Sequence, residues 1–176
     1  MPHAVAAGES PETILCKSCG LCCTGHLFTW VRLNASELEP SEVLGLNVIR
    51  NDPRQRGFTQ PCPLWQGVCT VYTSPHYPRG CRSYRCKLLK DVIDESIRLP
   101  DALEIIRQAM DLIRGVEALL PDSQHASFRE RLVEHMEQGR ADSAFRLKAN
   151  VLLAFIETHF GVKDFFDNPA KDNKGR

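Results

Sequence analysis

The chain has 176 residues, of which 43% are hydrophobic, and this is enough for one ordinary globular core. Lys plus Arg and Asp plus Glu number 22 each, so the net charge is zero and a general polyanion binder is excluded. No stretch approaches the roughly 20 apolar residues of a membrane span. Residues 1–10 lack the basic start and apolar run of a signal peptide. The sequence therefore predicts a cytoplasmic protein without a membrane span.

The cysteines are confined to one half of the chain. In a reducing cytoplasm, eight cysteines are not expected to form four structural disulfides. All of them lie between residues 16 and 86, and the following 90 residues contain none. The same half carries an excess of basic over acidic side chains, which number 10 and 6 in residues 1–90. The clustering indicates a site formed by Cys16, Cys19, Cys22, Cys23, Cys62, Cys69, Cys81 and Cys86.

The composition of the first half of the chain predicts an irregular module. Residues 1–12 are small and polar and predict a flexible tail. Residues 13–90 contain clustered cysteines, several prolines and only short apolar runs, so metal–ligand bonds would have to replace part of a core. Within this module we expect a short helix near residues 36–46 and short strands at 26–33 and 67–72.

The spacing of apolar residues in the second half of the chain predicts helices. An apolar stripe begins at Leu88, and Pro100 suits the first turn of a helix that ends before Pro121. Two further helices are expected at 123–138 and 142–160, with a polar flexible tail at 167–176. The predicted fold is α-rich: an irregular cysteine-rich metal-binding module (13–90) followed by a small helical unit of three to four helices (91–166).

The first cysteine group has the pattern C-x2-C-x2-C-C over residues 16–23. Two intervening residues allow both sulfur atoms to face one metal, and this arrangement serves zinc and iron alike. The adjacent Cys22 and Cys23 have side chains that generally point apart. Either these two residues serve different metals, or one of them is free as a reactive thiol or a small buried apolar residue.

The second cysteine group does not identify which metal is bound. Two tetrahedral zinc sites need eight ligands, and eight thiolates are present. The later cysteines, however, are spread out, with six, eleven and four residues between neighbours, and do not repeat the close knuckle of the first group. The run C-x2-C-x2-C matches the first three ligands of a bacterial ferredoxin, but His26 stands where the fourth cysteine would be. An iron–sulfur cluster and zinc are about equally supported.

Four stretches together carry a family resemblance. They are residues 16–23, the triplet Cys62-Pro63-Leu64, residues 67–72 (GVCTVY) and residues 78–86 (PRGCRSYRC). In these stretches the chain resembles the bacterial CxxCxxCC family, described as zinc- or iron-chelating domains or YkgJ-type cysteine cluster proteins. More distantly it resembles the cysteine-rich part of flagellin lysine N-methylases. The family usually has Arg-Pro shortly after the tyrosine, where this chain has Tyr77-Pro78. The resemblance implies metal binding by the eight cysteines.

Other side chains near the cysteines are candidates for outer contacts with the metal. His26 and His76 could support or replace a thiolate. Arg82 and Arg85 could compensate the negative charge of a thiolate centre or bind an anionic substrate. Nucleic-acid binding is disfavoured by the zero net charge and by the lack of a recognisable reading helix.

The predicted function is metal binding through cysteine thiolates. One alternative is a metal-cluster-dependent enzyme, methyltransferase-like or redox-active, although no catalytic base or cofactor motif is visible. The other is a zinc-stabilised scaffold for a protein partner, for which the helical stripes beginning at Leu103 and Phe145 could form a groove.

Overall fold

The computed structural model describes residues 8–124, 127–163 and 165, and this part of the chain is helix-rich. The predictions for residues 1–7 and 167–176 lie outside it. The helices in order are α1 (Pro11–Cys19), α2 (Leu38–Val43), α3 (Arg79–Ser83), α4 (Lys87–Ile93), α5 (Leu99–Glu117), α6 (Phe128–Glu137) and α7 (Ser143–Phe160). Among these helices, none is both long enough and apolar enough to cross a membrane.

The three predicted helices of the second half are present. Helix α5 begins with Pro100 in its first turn, as predicted. Helix α7 is capped by Asp142, whose carboxylate accepts a hydrogen bond from the Phe145 amide at 2.7 Å. Helix α6 begins at Phe128, five residues later than expected, because the Ser127 hydroxyl caps it by accepting from the Glu130 amide. The expected start at residue 123 was therefore wrong.

The main core joins both halves of the chain. Helices α5 and α7 pack together and bury Ile113, Leu152 and Ile156 almost completely. Leu15 and Leu21, which belong to the cysteine-rich half, are buried in the same cluster. Apolar residues of the first half therefore gain burial from the helices of the second half.

A small antiparallel sheet lies in the cysteine-rich half. Its strand order is β1 (Trp30–Arg32), β3 (Gly57–Thr59) and β2 (Val48–Ile49). A second, much smaller cluster of buried residues packs on it and consists of Leu33, Leu46 and Phe58. The sheet therefore has little apolar burial of its own.

Local predictions in this half were only partly right. The strand expected at 26–33 is limited to β1, and the helix expected at 36–46 is a 3-10 turn (Ala35–Glu37) followed by α2. The strand expected at 67–72 was wrong, because its backbone groups bond to partners outside any strand ladder. The Thr70 amide donates to the Leu64 carbonyl, the Cys69 amide donates to the Lys17 carbonyl of α1, and Trp65 and Cys69 form an isolated bridge.

Helix α1 was not anticipated, and its end shapes the chain that follows. The helix ends at Gly20, which has φ +72°. The Trp65 ring lies directly against Gly20, so a Cβ atom there would stand 2.2 Å from Trp65 Cζ2. Only glycine satisfies both the backbone angle and this close approach.

The loop after Gly20 is also held from the other side by Arg129 of α6. The buried Arg129 guanidinium donates to the Leu27 carbonyl at 2.6 Å and to the Phe165 carbonyl at 2.9 Å. The Arg129 amide donates to the Gly25 carbonyl at 3.2 Å. Buried hydrogen bonds from a charged donor are strong, so the loop 21–27 has a fixed position.

Replacing Gly20 by alanine tests this arrangement. We expect Gly20→Ala to lower the free energy of unfolding by about 2–4 kcal/mol, because the methyl group must displace the Trp65 ring as well as adopt a positive φ. Gly139→Ala is the matched control: Gly139 has φ +67° but no heavy atom within 4 Å of its Cβ position. This control should lose only about 1 kcal/mol. Equal losses in urea denaturation would contradict the role of Trp65.

Candidate metal centre

The first four cysteines lie on α1 and on the turn that follows it. Cys16 and Cys19 are three residues apart on α1, and thus on neighbouring positions of one helix face. After Gly20 the chain folds back, with the Leu27 amide donating to the Leu21 carbonyl at 3.1 Å. Cys22 and Cys23 lie in this turn, which therefore returns them toward the end of α1.

Two backbone hydrogen bonds bring distant cysteines to the same place. The Cys62 amide donates to the Cys23 carbonyl at 2.7 Å. The Cys69 amide donates to the Lys17 carbonyl of α1 at 3.0 Å. These bonds connect segments about 40 to 50 residues apart in the chain, and they need no metal to form.

The last two cysteines are positioned by short helices. Cys81 lies in α3, whose first residue Arg79 donates its amide to the Glu37 carboxylate at 2.7 Å. Cys86 is the N-cap of α4, and its sulfur accepts from the Leu89 amide at 3.4 Å. The Glu37 contact spans 42 residues. No local sequence pattern could have indicated that contact.

Seven of the eight cysteines line a single cavity of about 260 Å³. The remaining one, Cys62, is attached to the site through its bond to the Cys23 backbone. Most of the other lining side chains are apolar or aromatic, including Phe28, Trp30 and Tyr84. All eight cysteines are free thiols of intermediate exposure. Cysteines from separate segments of the first half therefore face a shared, largely apolar space.

The two hydrophobic clusters divide the cysteines between them. Four cysteines pack against the main core: Cys16, Cys19, Cys22 and Cys86. Two others, Cys62 and Cys81, pack against the small cluster on the sheet. The cavity thus lies between the two clusters.

Burial raises the pKa of every one of these thiols. It raises the pKa of Cys16 to about 11 and those of Cys19 and Cys81 to about 12. Neighbouring thiolate charges add to the rise, while the Arg85 guanidinium lowers the pKa of Cys16. In the metal-free protein these thiols are therefore protonated at neutral pH, and a metal would have to displace their protons.

The donor set, although not its spacing, suits a thiophilic metal. Within residues 8–124, 127–163 and 165, no three Cys, His, Asp or Glu side chains are arranged so that they could hold a metal ion as they stand. Thiolates are nevertheless the preferred ligands of structural zinc and of iron–sulfur clusters. The residues that would hold either group are the cysteines that line the cavity, together with Cys62.

A second, more open cavity of about 490 Å³ lies on the outside of the cysteines. Cys16 and Cys81 form part of its wall, and so do Arg82 and Arg85. Both arginines are exposed, and the Arg82 guanidinium lies 5.8 Å from the centre of the Tyr77 ring. The two basic side chains predicted to compensate the thiolates therefore lie beside two of them.

The two histidines predicted as outer contacts lie away from the cavity walls. His26 is buried, with its Nδ1 atom 2.5 Å from the Thr24 hydroxyl and its ring beside Phe128. Burial lowers its pKa, which favours the neutral ring. His76 is exposed, and its amide donates to the Ser74 hydroxyl. Neither histidine lines the cysteine cavity.

Sequence reasoning missed the aromatic walls of the cavity and the carboxylate that fixes α3. Burial and neighbouring thiolates raise the pKa of both Tyr77 and Tyr84, which line the cavity. Tyrosines at intervals of a few residues from Cys81 were visible in the sequence. Their inward orientation depends on the turn around α3, which no local sequence pattern indicates.

No protein-family model, no curated protein and no solved structure matches this chain. The resemblance to the CxxCxxCC family therefore remains a prediction, based on the spacing of the cysteines.

The raised thiol pKa values predict an alkaline loss of stability in the metal-free, fully reduced protein. The unfolded chain loses its thiol protons near the ordinary pKa of 9.0, whereas Cys16, Cys19 and Cys81 retain theirs until about 11 to 12. Stability is therefore unaffected below pH 9 and falls between about pH 9 and 11, by about 1.4 kcal/mol per pH unit for each retained proton. Urea denaturation at a series of pH values measures the slope.

The Cys19→Ala variant isolates the contribution of one thiol, because lysines and tyrosines titrate alike in both proteins. Above pH 9, the free energy of unfolding of this variant should fall less steeply with pH than that of the unchanged protein. The difference in slope should equal the contribution of one thiol proton. Identical slopes would contradict the burial of the Cys19 sulfur.

Proposed function

We propose that this protein binds a metal through its clustered cysteine thiolates, either as zinc or as an iron–sulfur cluster. The observation that carries the proposal is the cavity lined by seven half-buried cysteines from separate segments of the chain. A single buried thiol can serve as a small apolar residue, but seven thiols around one cavity bring together the donor type that zinc and iron bind. Shared binding of a metal accounts for all of them together.

The architecture of the first half supports the same proposal. Among the described residues, only three are buried in the cluster on the sheet, which is too little to hold three short strands in place. Metal–thiolate bonds contribute directly to folding free energy in such small modules. A metal in the cavity would join the sheet to the helical core, which is the position where apolar burial is weakest.

Charge is also consistent with a thiolate centre. Four thiolates around a divalent ion carry a net charge of −2, and this charge needs nearby cations in a partly buried site. Arg82 and Arg85 line the outer cavity next to Cys16 and Cys81, and neither forms an ion pair with a carboxylate within the described residues. They are therefore available to compensate the centre.

We place the protein in the cytoplasm, where reduced thiols persist and metals are their usual partners. Zinc and an iron–sulfur cluster remain the two candidates, because both take four thiolates and both suit a largely apolar environment.

A metal-dependent enzyme is the second candidate, and the outer cavity favours it. Its volume lies within the range of small-molecule sites, and it offers two guanidinium groups next to two cysteines. In the iron–sulfur form, or after cobalt replaces zinc, a visible spectrum that changes when a small anion is added would indicate an accessible coordination position and would support this candidate. A coloured centre whose spectrum does not respond to the anion would instead support a scaffold for a protein partner.

Anaerobic purification tests the main proposal. We expect the fresh protein to contain either zinc without colour or iron and sulfide with a brown colour, because the two candidate groups differ in visible absorption. Metal, iron and sulfide analysis together with a visible spectrum distinguishes them. Cys81→Ala should lose metal, and Ser83→Ala, an exposed change in the same helix, should retain it. A folded, reduced protein that neither contains nor takes up zinc or iron would contradict the proposal.

A further inference from the structure

The neighbouring residues Cys22 and Cys23 lie at the boundary between the two hydrophobic clusters. Cys22 packs against the main helical core. The carbonyl of Cys23 accepts a hydrogen bond from the Cys62 amide, and Cys62 packs against the small cluster on the sheet. Consecutive side chains in a turn point in different directions, so we expect the sulfur atoms of Cys22 and Cys23 to face different sides of the cavity.

The other cysteines follow the same division. Cys16, Cys19 and Cys86 pack with Cys22 on the helical side. Cys81 packs with Cys62 on the sheet side. Cys69 lies in the loop that follows Cys62, where it pairs with Trp65, and its amide also donates to the Lys17 carbonyl of α1. Each side holds four cysteines when Cys23 and Cys69, which pack in neither cluster, are counted with Cys62.

One helical-side cysteine also adjoins the sheet-side group. Cys16 lines the outer cavity together with Cys81, so it is the helical-side residue closest to serving both groups.

We propose that the cysteines form two separate four-thiolate centres, a helical-side centre and a sheet-side centre. The helical-side centre consists of Cys16, Cys19, Cys22 and Cys86, and the sheet-side centre consists of Cys23, Cys62, Cys69 and Cys81. This assignment rests on the proposed metal-binding function, which by itself leaves open how many centres there are and which cysteines share one.

The division has a chemical consequence for either metal. Four thiolates complete the tetrahedral shell of zinc, and they also supply the full protein ligand set of common iron–sulfur clusters. Both centres would therefore be closed, without an open position for a substrate on the metal. This favours a structural or electron-transferring role over Lewis-acid catalysis.

Cobalt substitution of the full-length protein tests the division whichever metal is native. Tetrahedral Co²⁺ bound to thiolates absorbs visible light strongly, so titration of the metal-free protein counts the sites. We expect the absorption to rise linearly up to two ions per chain. The electron paramagnetic resonance signal should rise with it, because separate centres share no bridging sulfur. A signal that collapses as the second ion binds would show a thiolate-bridged pair, with Cys16 the candidate bridge, and would overturn the proposal.

Paired substitutions test which cysteines belong together. Cys19→Ala and Cys86→Ala each should lower the cobalt content from two ions to one, and the double variant should still bind one. Combining Cys19→Ala with Cys81→Ala should abolish tight binding. Equal losses in the two double variants would overturn the assignment.

The two proposals fail in different ways. If neither cobalt, zinc nor iron binds to the unmodified protein, metal binding itself is wrong. If metal binds but the titration ends at one ion, or the double variants behave alike, only the division is wrong. Where a variant does not fold, the titration and resonance measurement on the unmodified chain decide the question alone.

Discussion

The site depends on one constraint, which is the fixed reversal of the chain after α1. Gly20 ends the helix with a positive φ and lies against the Trp65 ring, while Arg129 holds the loop from the opposite side through the Leu27 carbonyl. These contacts involve no thiol. They nevertheless determine where Cys22 and Cys23 lie, and thereby bring the C-x2-C-x2-C-C run to face the cysteines of the later segments. The scaffold for the site is therefore built from ordinary packing and hydrogen bonding.

Packing and metal binding have complementary roles in this arrangement. The helical half buries many apolar side chains in one cluster that extends from Leu15 to Phe165. The sheet buries only Leu33, Leu46 and Phe58 and would be a weak unit alone. In the metal-free protein, the apolar cavity keeps its thiols protonated and contributes little attraction between the two clusters. Replacing those protons by metals would convert the same cavity into a set of bonds between the sheet and the helices.

The sequence allowed the helices to be predicted better than the cysteine-rich half, and the reason is physical. Helices α5 and α7 are indicated in the sequence by apolar residues at helical spacing. Pro100 marks the start of α5, and Asp142 and Gly161 mark the start and end of α7. The cysteine-rich half is held by contacts between distant residues, such as Glu37 with the Arg79 amide, for which no local pattern exists. Residues 67–72 have strand-forming side chains, but their amides bond to the Leu64 carbonyl of the loop and to the Lys17 carbonyl of α1. The cysteines of the candidate site could be named from the sequence, but the packing of some against the helical core and others against the sheet could not.

The position of Cys22 and Cys23 links the two proposed centres through a single peptide bond. If the metal is zinc, this link would make the two centres one rigid unit, since neither could shift without moving the other's ligand. If the metal is iron, the same link would place two clusters close enough for rapid electron exchange, beneath a surface where Arg82 and Arg85 face the outer cavity. Closed coordination would then direct reactivity toward electrons and away from bound substrates. If both closed centres form as proposed, the arrangement of ligands would limit the function to structural support or electron transfer, and the identity of the metal would select between them.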